Sequence, residues 1–423
     1  LSDALDAALA RLEGTRGRAW RMGTDRMRGL LRRLGLEANL GQPGGAQYVH
    51  VAGTNGKGST ARFVECALVS QGYRVGAAYS PYVHSVTERV HVGGRPASRD
   101  DLARWLVGVL DAGDGMADTE FGAPSEFETK TAAGFVAWAE AGCDWVALEV
   151  GLGGRLDATN VVEPACAVVV SVGLDHVEHL GPTLAAIAAE KAAIIKPGRP
   201  AVCGSLPPEA LAVVERQSRE VGAPLWRMGH EIAVEENGGR ARMCWPGGTT
   251  PWFRPGIEGS AMPHNAALAL AACLAAGAVR DLDAAALSLE RARLPGRMER
   301  RHVQGVEWIL DGAHNEDAAR ALASGLPAGV PGVVGMLRGH CSEGFGRALA
   351  GVLGPVAVVP VAWHRTRQPE ELCAELRRAG LAADPYRTLA EGMAAAAGLS
   401  GTVVVTGSFY LVGDAGRLLD AEA

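Results

Sequence analysis

Between an apolar run, Tyr48 to Ala52, and a stretch of helical spacing that opens at Ser59 lies Gly53-Thr54-Asn55-Gly56-Lys57-Gly58-Ser59-Thr60. Few features restrict a fold as tightly. Glycines let backbone N–H groups close around an anion, the helix start adds positive potential, and Lys57 contributes a point charge. Ser59 and Thr60 offer hydroxyls to phosphates or to a metal. The pattern departs from G-x-x-x-x-G-K-[ST]: Val51 stands at the first glycine position, and Gly58 follows the lysine where Ser or Thr is usual. A plain glycine-rich turn with an exposed lysine is the rival reading, and the strand-before, helix-after setting argues against it.

The helix carries Phe63, Val64, Ala67 and Leu68 on one face and stops at Gly72, after which Arg74 to Tyr79 reads as a second strand. That is a βαβ unit with a glycine-rich first turn. Upstream, Asp3 to Leu36 reads as two short helices broken near Gly23-Thr24, followed by a Gly/Pro loop from Gly41 to Gly45. Trp145 to Val150 and Ala165 to Val172 are continuous apolar runs, as expected of parallel strands covered on both faces. Helices are expected from Pro182 to Ile195 and from Pro263 to Ala276.

The pattern restarts around Leu294-Pro295-Gly296-Arg297. Strands at Val306 to Leu310, Val333 to Met336, Val356 to Val361 and Thr402 to Thr406 alternate with helices at Asn315 to Leu326, near Phe345 and near Pro369. The fold class is therefore α/β: a P-loop-type parallel-sheet ATPase domain, residues 1–296, then a smaller Rossmann-like α/β domain, residues 297–423.

Composition excludes more than it assigns. The chain has 423 residues, 48% hydrophobic and 21% charged, with a formal net charge of −6 and no Lys/Arg block, so a nucleic-acid footprint is not expected. Eight cysteines show no C-x-x-C pair and no metal-ligand spacing, which fits a reduced, cytoplasmic protein. Leu1 to Arg21 lacks the apolar stretch of a signal peptide, and no 18-residue apolar run marks a membrane span.

In open α/β sheets, ligands bind beyond the carboxyl ends of the strands. Glu149 closes one strand, Asp175-His176 follows another, and Ser80 lies just past the strand after the glycine loop. Oxygen ligands beside a triphosphate site suggest Mg²⁺. Judged alone, His176 reads as a hydrogen-bonding loop residue and Lys191 as a surface lysine. Lys196 reads as a charge complementing a helix C-terminus.

Together these residues resemble the folylpolyglutamate synthase and dihydrofolate synthase family of the Mur ligase superfamily. The resemblance runs through His50 to Thr60, Ser80-Pro81, Thr87-Glu88-Arg89 and Leu148 to Asn160. It continues through Gly173 to His176, Glu190-Lys191-Ala192, Ile195 to Gly198, Asp311 to Asn315 and Thr406 to Gly413. It implies ATP as substrate and two Mg²⁺ ions, held by Ser80, Glu149, His176 and a carbamylated Lys191. Gly53, Thr54, Asn55, Gly56, Lys57, Gly58, Ser59, Asn265, Arg297 and Asp311 would bind ATP. Ser125, Glu126, Phe127 and Glu128, with Leu156, Asp157 and Ala158, would line a pterin pocket. His314 and Ser408 would receive glutamate, and Lys57, Lys191 and His314 would be catalytic. The chain departs from the usual family pattern at Tyr82, Ala193, Glu316 and around Gly23 to Arg26.

The implied reaction activates a carboxylate as an acyl phosphate, which the amine of glutamate attacks. Lys57, Arg297 and the metals would supply the electrostatics, in a cleft closed by the two domains. The expected acceptor is dihydropteroate, the γ-carboxylate of a reduced folate, or both; the bifunctional enzyme is the expectation and the monofunctional folylpolyglutamate synthase its alternative. A cell-wall Mur ligase would carry a whole domain before the phosphate loop, where this sequence leaves room for two helices. A nucleotide-binding switch without ligase chemistry would lack Glu149, His176, Lys191 or His314, and all four are present. Partners are expected to be small molecules only, with the chain a monomer that binds neither nucleic acid nor membrane.

Overall fold

The structure, a computed structural model, describes residues 2–14 and 23–422. The chain divides into two compact units. The first comprises Leu1–Pro81, Val86–Gly256 and Pro263–Ala292; the second comprises Tyr82–Ser85, Ile257–Met262 and Arg293–Ala423. A single cut near residue 297 therefore misses two short segments that pack with the later part of the chain. Val83 is buried in one cluster with Phe409 and Val412. Gly413 admits that segment because a Cβ there would stand 2.2 Å from the Val83 carbonyl oxygen. Glu258 is fastened by Arg300 at 3.0 Å.

In the first unit α1 (Ser2–Glu13) and α2 (Asp25–Arg33) lead, and the expected helix break near Gly23 adjoins 15–22, which lies outside the described residues. β1 (Gln47–Ala52) then runs into α3 (Lys57–Ser70) and β2 (Val75–Ala78). β3 (Val90–Val92) and β4 (Arg95–Pro96) precede α4 (Arg99–Asp114) and α5 (Glu126–Glu140). β5 (Trp145–Glu149), β6 (Cys166–Val169), α6 (Val177–Leu180), α7 (Leu184–Ala192), β7 (Ala201–Cys203) and β8 (Leu225–Arg227) complete the layer. The strand order is β4-β3-β2-β5-β1-β6-β7-β8, parallel throughout except at β3 and β4. β1 is central, with Val51 in register with Glu149 on one side and Val168 on the other. Every residue of β5 and β6 is buried, which explains why both read as unbroken apolar runs.

This order sets the carboxyl ends of β1, β2, β5 and β6 along one edge. An aromatic cluster fixes α5 beneath it: Trp138 meets Phe135 at 5.3 Å and Tyr48 at 6.5 Å between ring centroids. A small antiparallel sheet, β9 (Ala233–Asn237), β10 (Arg240–Trp245) and β11 (Gly248–Thr249), was not expected. β9 is mostly exposed and acidic, so it carries no apolar signal.

The second unit holds β12 (Glu299–Val303), β13 (Val306–Leu310), β14 (Val330–Val334), β15 (Leu353–Val358), β16 (Ala383–Pro385) and β17 (Thr402–Thr406), in the order β12-β13-β17-β14-β15-β16. Only β12 runs antiparallel to its neighbour. Adjacent residues of β14 serve opposite faces: Val334 packs with Phe345 and Leu372, Val333 with Leu411 and Met393. The α/β class expected from the sequence is therefore observed in both units. No helix among the described residues is long and apolar enough to cross a membrane.

Trp138 is held from both ends. Its Nε1 donates to the His91 carbonyl at 3.1 Å, and a Cβ on Gly76 of β2 would stand 2.2 Å from its ring. Gly76→Ala should therefore destabilise the first unit by about 1–3 kcal/mol through overpacking, read as a lower urea midpoint with unchanged slope. An unchanged midpoint would show that α5 shifts freely.

Candidate active site

The glycine loop occupies the carboxyl end of β1, and α3 begins at Lys57, two residues before the sequence reading placed it. Gly56 takes φ +81°, and a Cβ there would stand 2.9 Å from Nδ2 of the buried Asn265. The loop is pinned to the segment after β6. Thr54 N donates to Ser171 O and Asn55 N to Ser171 Oγ, both at 2.9 Å. Gly173 N donates to Thr54 Oγ1 at 3.0 Å. Ser59 and Thr60 are fully buried, and their hydroxyl oxygens meet no hydrogen-bond partner among the described residues. Buried polar groups of this kind are rare unless a ligand satisfies them.

Lys57 Nζ donates to the carbonyl oxygens of Gly53 and Thr54, at 3.0 and 3.3 Å. Lys191, on the last turn of α7, reaches the same Gly53 oxygen at 3.1 Å. Its reading as a surface lysine is thus overturned, because it is only 3% exposed. Burial, and then the charge of Lys57, lowers its pKa from the ordinary 10.5 to about 7, against the pull of Asp175, Asp157 and Glu190. Lys196 lies beyond α7, which ends at Ala192, so it does not complement that helix terminus.

Glu149 is buried at the end of β5, and its Oε2 accepts from Ser80 N at 2.7 Å. His176 takes a left-handed φ of +49°, uncommon for a non-glycine residue, and its backbone N donates to Asp175 Oδ1 at 3.0 Å. Its ring is the most open of the predicted metal ligands, with the side chain 41% exposed.

Beside Ser80 and Glu149 lies a cavity whose walls include Tyr79, Arg89, Phe127, Lys130, Trp138 and Thr159. Phe127 enters it from the first turn of α5, and a Cβ on Gly151 would stand 2.2 Å from its ring. Arg89 lies over that ring at 5.2 Å. The neighbouring side chains are engaged within the protein. Ser125 and Glu128 form a capping box for α5, and Glu126 pairs with Lys130 at 2.6 Å. Asp157 accepts from Leu152 N at 2.8 Å and from Thr159 Oγ1 at 2.5 Å, and burial raises its pKa. Thr159 Oγ1 in turn meets Nε2 of His50 at 2.9 Å, and burial, with the charge of Lys196 adding to it, lowers the pKa of that fully buried ring to about 3. Since Thr159 donates to Asp157, the neutral His50 must donate from Nε2.

Arg297, Asp311, His314 and Ser408 belong to the second unit, the last three beyond the carboxyl ends of β13 and β17 and Arg297 just before the antiparallel β12. Asp311 is buried after β13, and its two oxygens accept from Met298 N and Ala313 N at 2.9 Å each. It thereby holds Met298 at φ +46° beside Arg297. Arg297 lies 4.1 Å over the Phe409 ring, which occupies the space a Cβ on Gly312 would need. His314 Nδ1 faces the Gly312 carbonyl at 2.8 Å, so it carries the proton and leaves Nε2 as the basic nitrogen. Ser408 is buried, and its Oγ accepts from Tyr410 N at 3.2 Å. Sequence reasoning gave no role to His340, whose ring lies 4.8 Å from that of His314. Nothing in its loop sequence distinguishes it from a surface histidine.

Residues 51–273 match the Mur ligase middle domain, and residues 296–409 the Mur ligase, glutamate ligase domain. Dihydrofolate synthase/folylpolyglutamate synthase of Escherichia coli (strain K12) is 34% identical over 402 residues, 92% of each chain. The chain belongs to the dihydrofolate synthase/folylpolyglutamate synthase family. Its Bacillus subtilis (strain 168) relative of the same name is 38% identical over 314 residues, covering 70% of this chain and 71% of that protein. The solved structure of E. coli FolC in complex with DHPP and ADP matches with a TM-score of 0.88 and 32% identity, over 99% of this chain and 98% of that one. A Yersinia pestis bifunctional folylpolyglutamate synthase/dihydrofolate synthase, complexed with AMPPNP and Mn ion, matches at 0.86 with 30% identity over 98% of both chains. As a member of this family the protein is an ATP-dependent ligase.

Family chemistry implies Mg²⁺, and the residues present fit it. Among the described residues no three His, Cys, Asp or Glu side chains converge as a protein-only metal cage. A buried carboxylate, a neighbouring serine and two partnerless hydroxyls suit an ion that draws its other ligands from phosphates and water. The lowered pKa of Lys191 has a consequence for stability. Below about pH 7 both folded and unfolded chains hold its proton, and the folded state bears the full penalty of a buried charge. Between there and 10.5 the folded chain has released the proton that the unfolded chain keeps, so the penalty falls. The stability of Lys191→Met relative to wild type, measured in carbonate-free buffer, should therefore decline as pH rises through this range. Urea titrations at about pH 6 and about pH 9 check this; a difference independent of pH would contradict it.

Proposed function

We propose that this ligase joins the amine of L-glutamate to dihydropteroate and to the γ-carboxylate of reduced folates, through an acyl phosphate. The observation that most supports this is the cavity in which the Phe127 ring and the Glu149 carboxylate share one lining. A flat heteroaromatic ring stacks on the first, and a cation bridging to phosphate meets the second. The names of the E. coli and B. subtilis relatives carry both activities.

In this reading the loop from Gly53 to Ser59 cradles the ATP phosphates, with Asn265 beneath it. Lys57 exchanges its two loop carbonyls for phosphate oxygens. Ser80, Glu149 and His176 would hold Mg²⁺, with Lys191 contributing to a second ion, and the metal when bound would supply neutralisation of phosphate charge. A carboxylate oxygen of the acceptor attacks the γ-phosphorus, the bond to the bridging oxygen breaks, and ADP leaves with that electron pair. The glutamate amine attacks the acyl carbon, and inorganic phosphate departs carrying the acceptor's oxygen. Arg297 stabilises the transferring phosphoryl group, and Asp311 lies on the nucleoside side. The basic Nε2 of His314 accepts the amine proton while Ser408 orients the incoming glutamate. Ser125 to Glu128 and Leu156 to Ala158 shape the pterin pocket.

Lys191 serves this site as a carbamate. Its neutral amine adds to CO₂, a C–N bond forms, and one proton leaves. A carboxylate then stands where the Lys191 amine faced Lys57. Release of ADP from Mg-ATP, measured with L-glutamate and either dihydropteroate or reduced folylmonoglutamate, tests the whole reading. Turnover of both acceptors is the expected result. Turnover of one would assign a single step, and turnover of neither would sink the proposal.

A further inference from the structure

Arg26 stands in the first turn of α2, within the segment that departs from the family pattern. Its side chain is 11% exposed and that of Glu128 5%, and its Nε lies 2.9 and 2.8 Å from the two Glu128 oxygens. A capping box asks only for an acceptor facing the backbone N–H of Ser125, and glutamine serves there as well as glutamate. The charge on Glu128 is thus surplus to helix capping. Burying such a pair is also poor value for stability alone, because desolvation of both ions offsets most of their attraction.

Its position suggests another use. Glu128 Oε2 accepts from Ser125 N at 2.8 Å and from Ser125 Oγ at 2.6 Å, so one carboxylate holds the whole turn that carries Phe127. The Phe127 ring has little freedom of its own, with Gly151 against one part of it and Arg89 over its face. A small rotation of that turn would therefore move the ring within the cavity. The same N-terminal segment reaches the second pterin-side loop, where Gly23 N donates to Leu156 O at 3.4 Å.

We infer that Arg26 is a positioning residue: by pairing with Glu128 it sets the pitch of the Phe127 ring and thereby the affinity for the pterin-bearing acceptor, without acting on the nucleotide. This rests on the acceptor reading above. Because Arg26 acts through Glu128, its effect belongs in the acceptor KM.

The test compares wild type with Arg26→Gln, Glu128→Gln and the double variant, each as the full chain. Each single change strands a buried charge and should lower Tm, and the double change should recover most of that loss. The inference expects the acceptor KM to rise roughly tenfold in Arg26→Gln and to stay raised in the double variant. KM for ATP should move less than about twofold. If the pair only stabilises the fold, the double variant regains the wild-type acceptor KM along with its Tm, and the inference falls. It falls equally if the acceptor and ATP KM values rise together, or if the double variant is no more stable than the singles. A wild-type enzyme that turns over neither folate acceptor removes the acceptor reading itself, and that rate distinguishes the two failures.

Discussion

Lys57 and Lys191 both donate to one carbonyl oxygen, that of Gly53. Lys191 is buried there, and the neighbouring charge of Lys57 adds to burial in making its charged form less favourable. The fold forces this meeting. β1 delivers Gly53 to the sheet edge, α3 turns Lys57 back over its own loop, and α7 brings Lys191 from 138 residues away. In the proposed reaction phosphate groups would relieve the conflict from one side, Lys57 leaving its loop carbonyls for them. A carbamate on Lys191 would relieve it from the other. Such a site would suit an anionic nucleotide in that reaction, as the preorganisation of phosphoryl transfer requires.

The remaining site residues are held by fixed backbone rather than by long flexible side chains. Asp311 holds Met298 in a left-handed conformation and thereby sets where Arg297 begins. Phe409 fills the space left by Gly312 and gives the Arg297 guanidinium a surface to rest on. On the acceptor side, the chain from His50 through Thr159 to Asp157 fixes a loop from within the sheet. Several residues that the resemblance assigns to ligands thus have evident work in shaping the backbone around those ligands.

How much of this was legible in the sequence depends on how local the cause is. The glycine loop, the continuous apolar strands and the restart near Leu294 each carry their signal within a few residues, and the α/β layers follow from them. Lys191 was not legible bottom-up. A lysine in an alanine-rich helix reads as exposed, and only the family resemblance marked it as a site residue; its burial shows in the packing of α7. Ser125 and Glu128 do form a recognisable cap signature, but the resemblance drew attention to their ligand role instead. The Arg26–Glu128 pair spans 102 residues, and no spacing rule reaches that far. β9 to β11 escaped because short, half-exposed strands have neither an apolar run nor a clear alternation.

In the proposed reaction the acceptor carboxylate is activated by taking the γ-phosphoryl group of ATP. Oxygen-18 in that carboxylate follows the atom concerned. Turnover with L-glutamate and Mg-ATP should place one labelled oxygen in the released inorganic phosphate for each amide bond formed. Label appearing in AMP instead, or remaining absent from phosphate while product accumulates, would contradict an acyl phosphate and the roles proposed for Lys57 and Lys191.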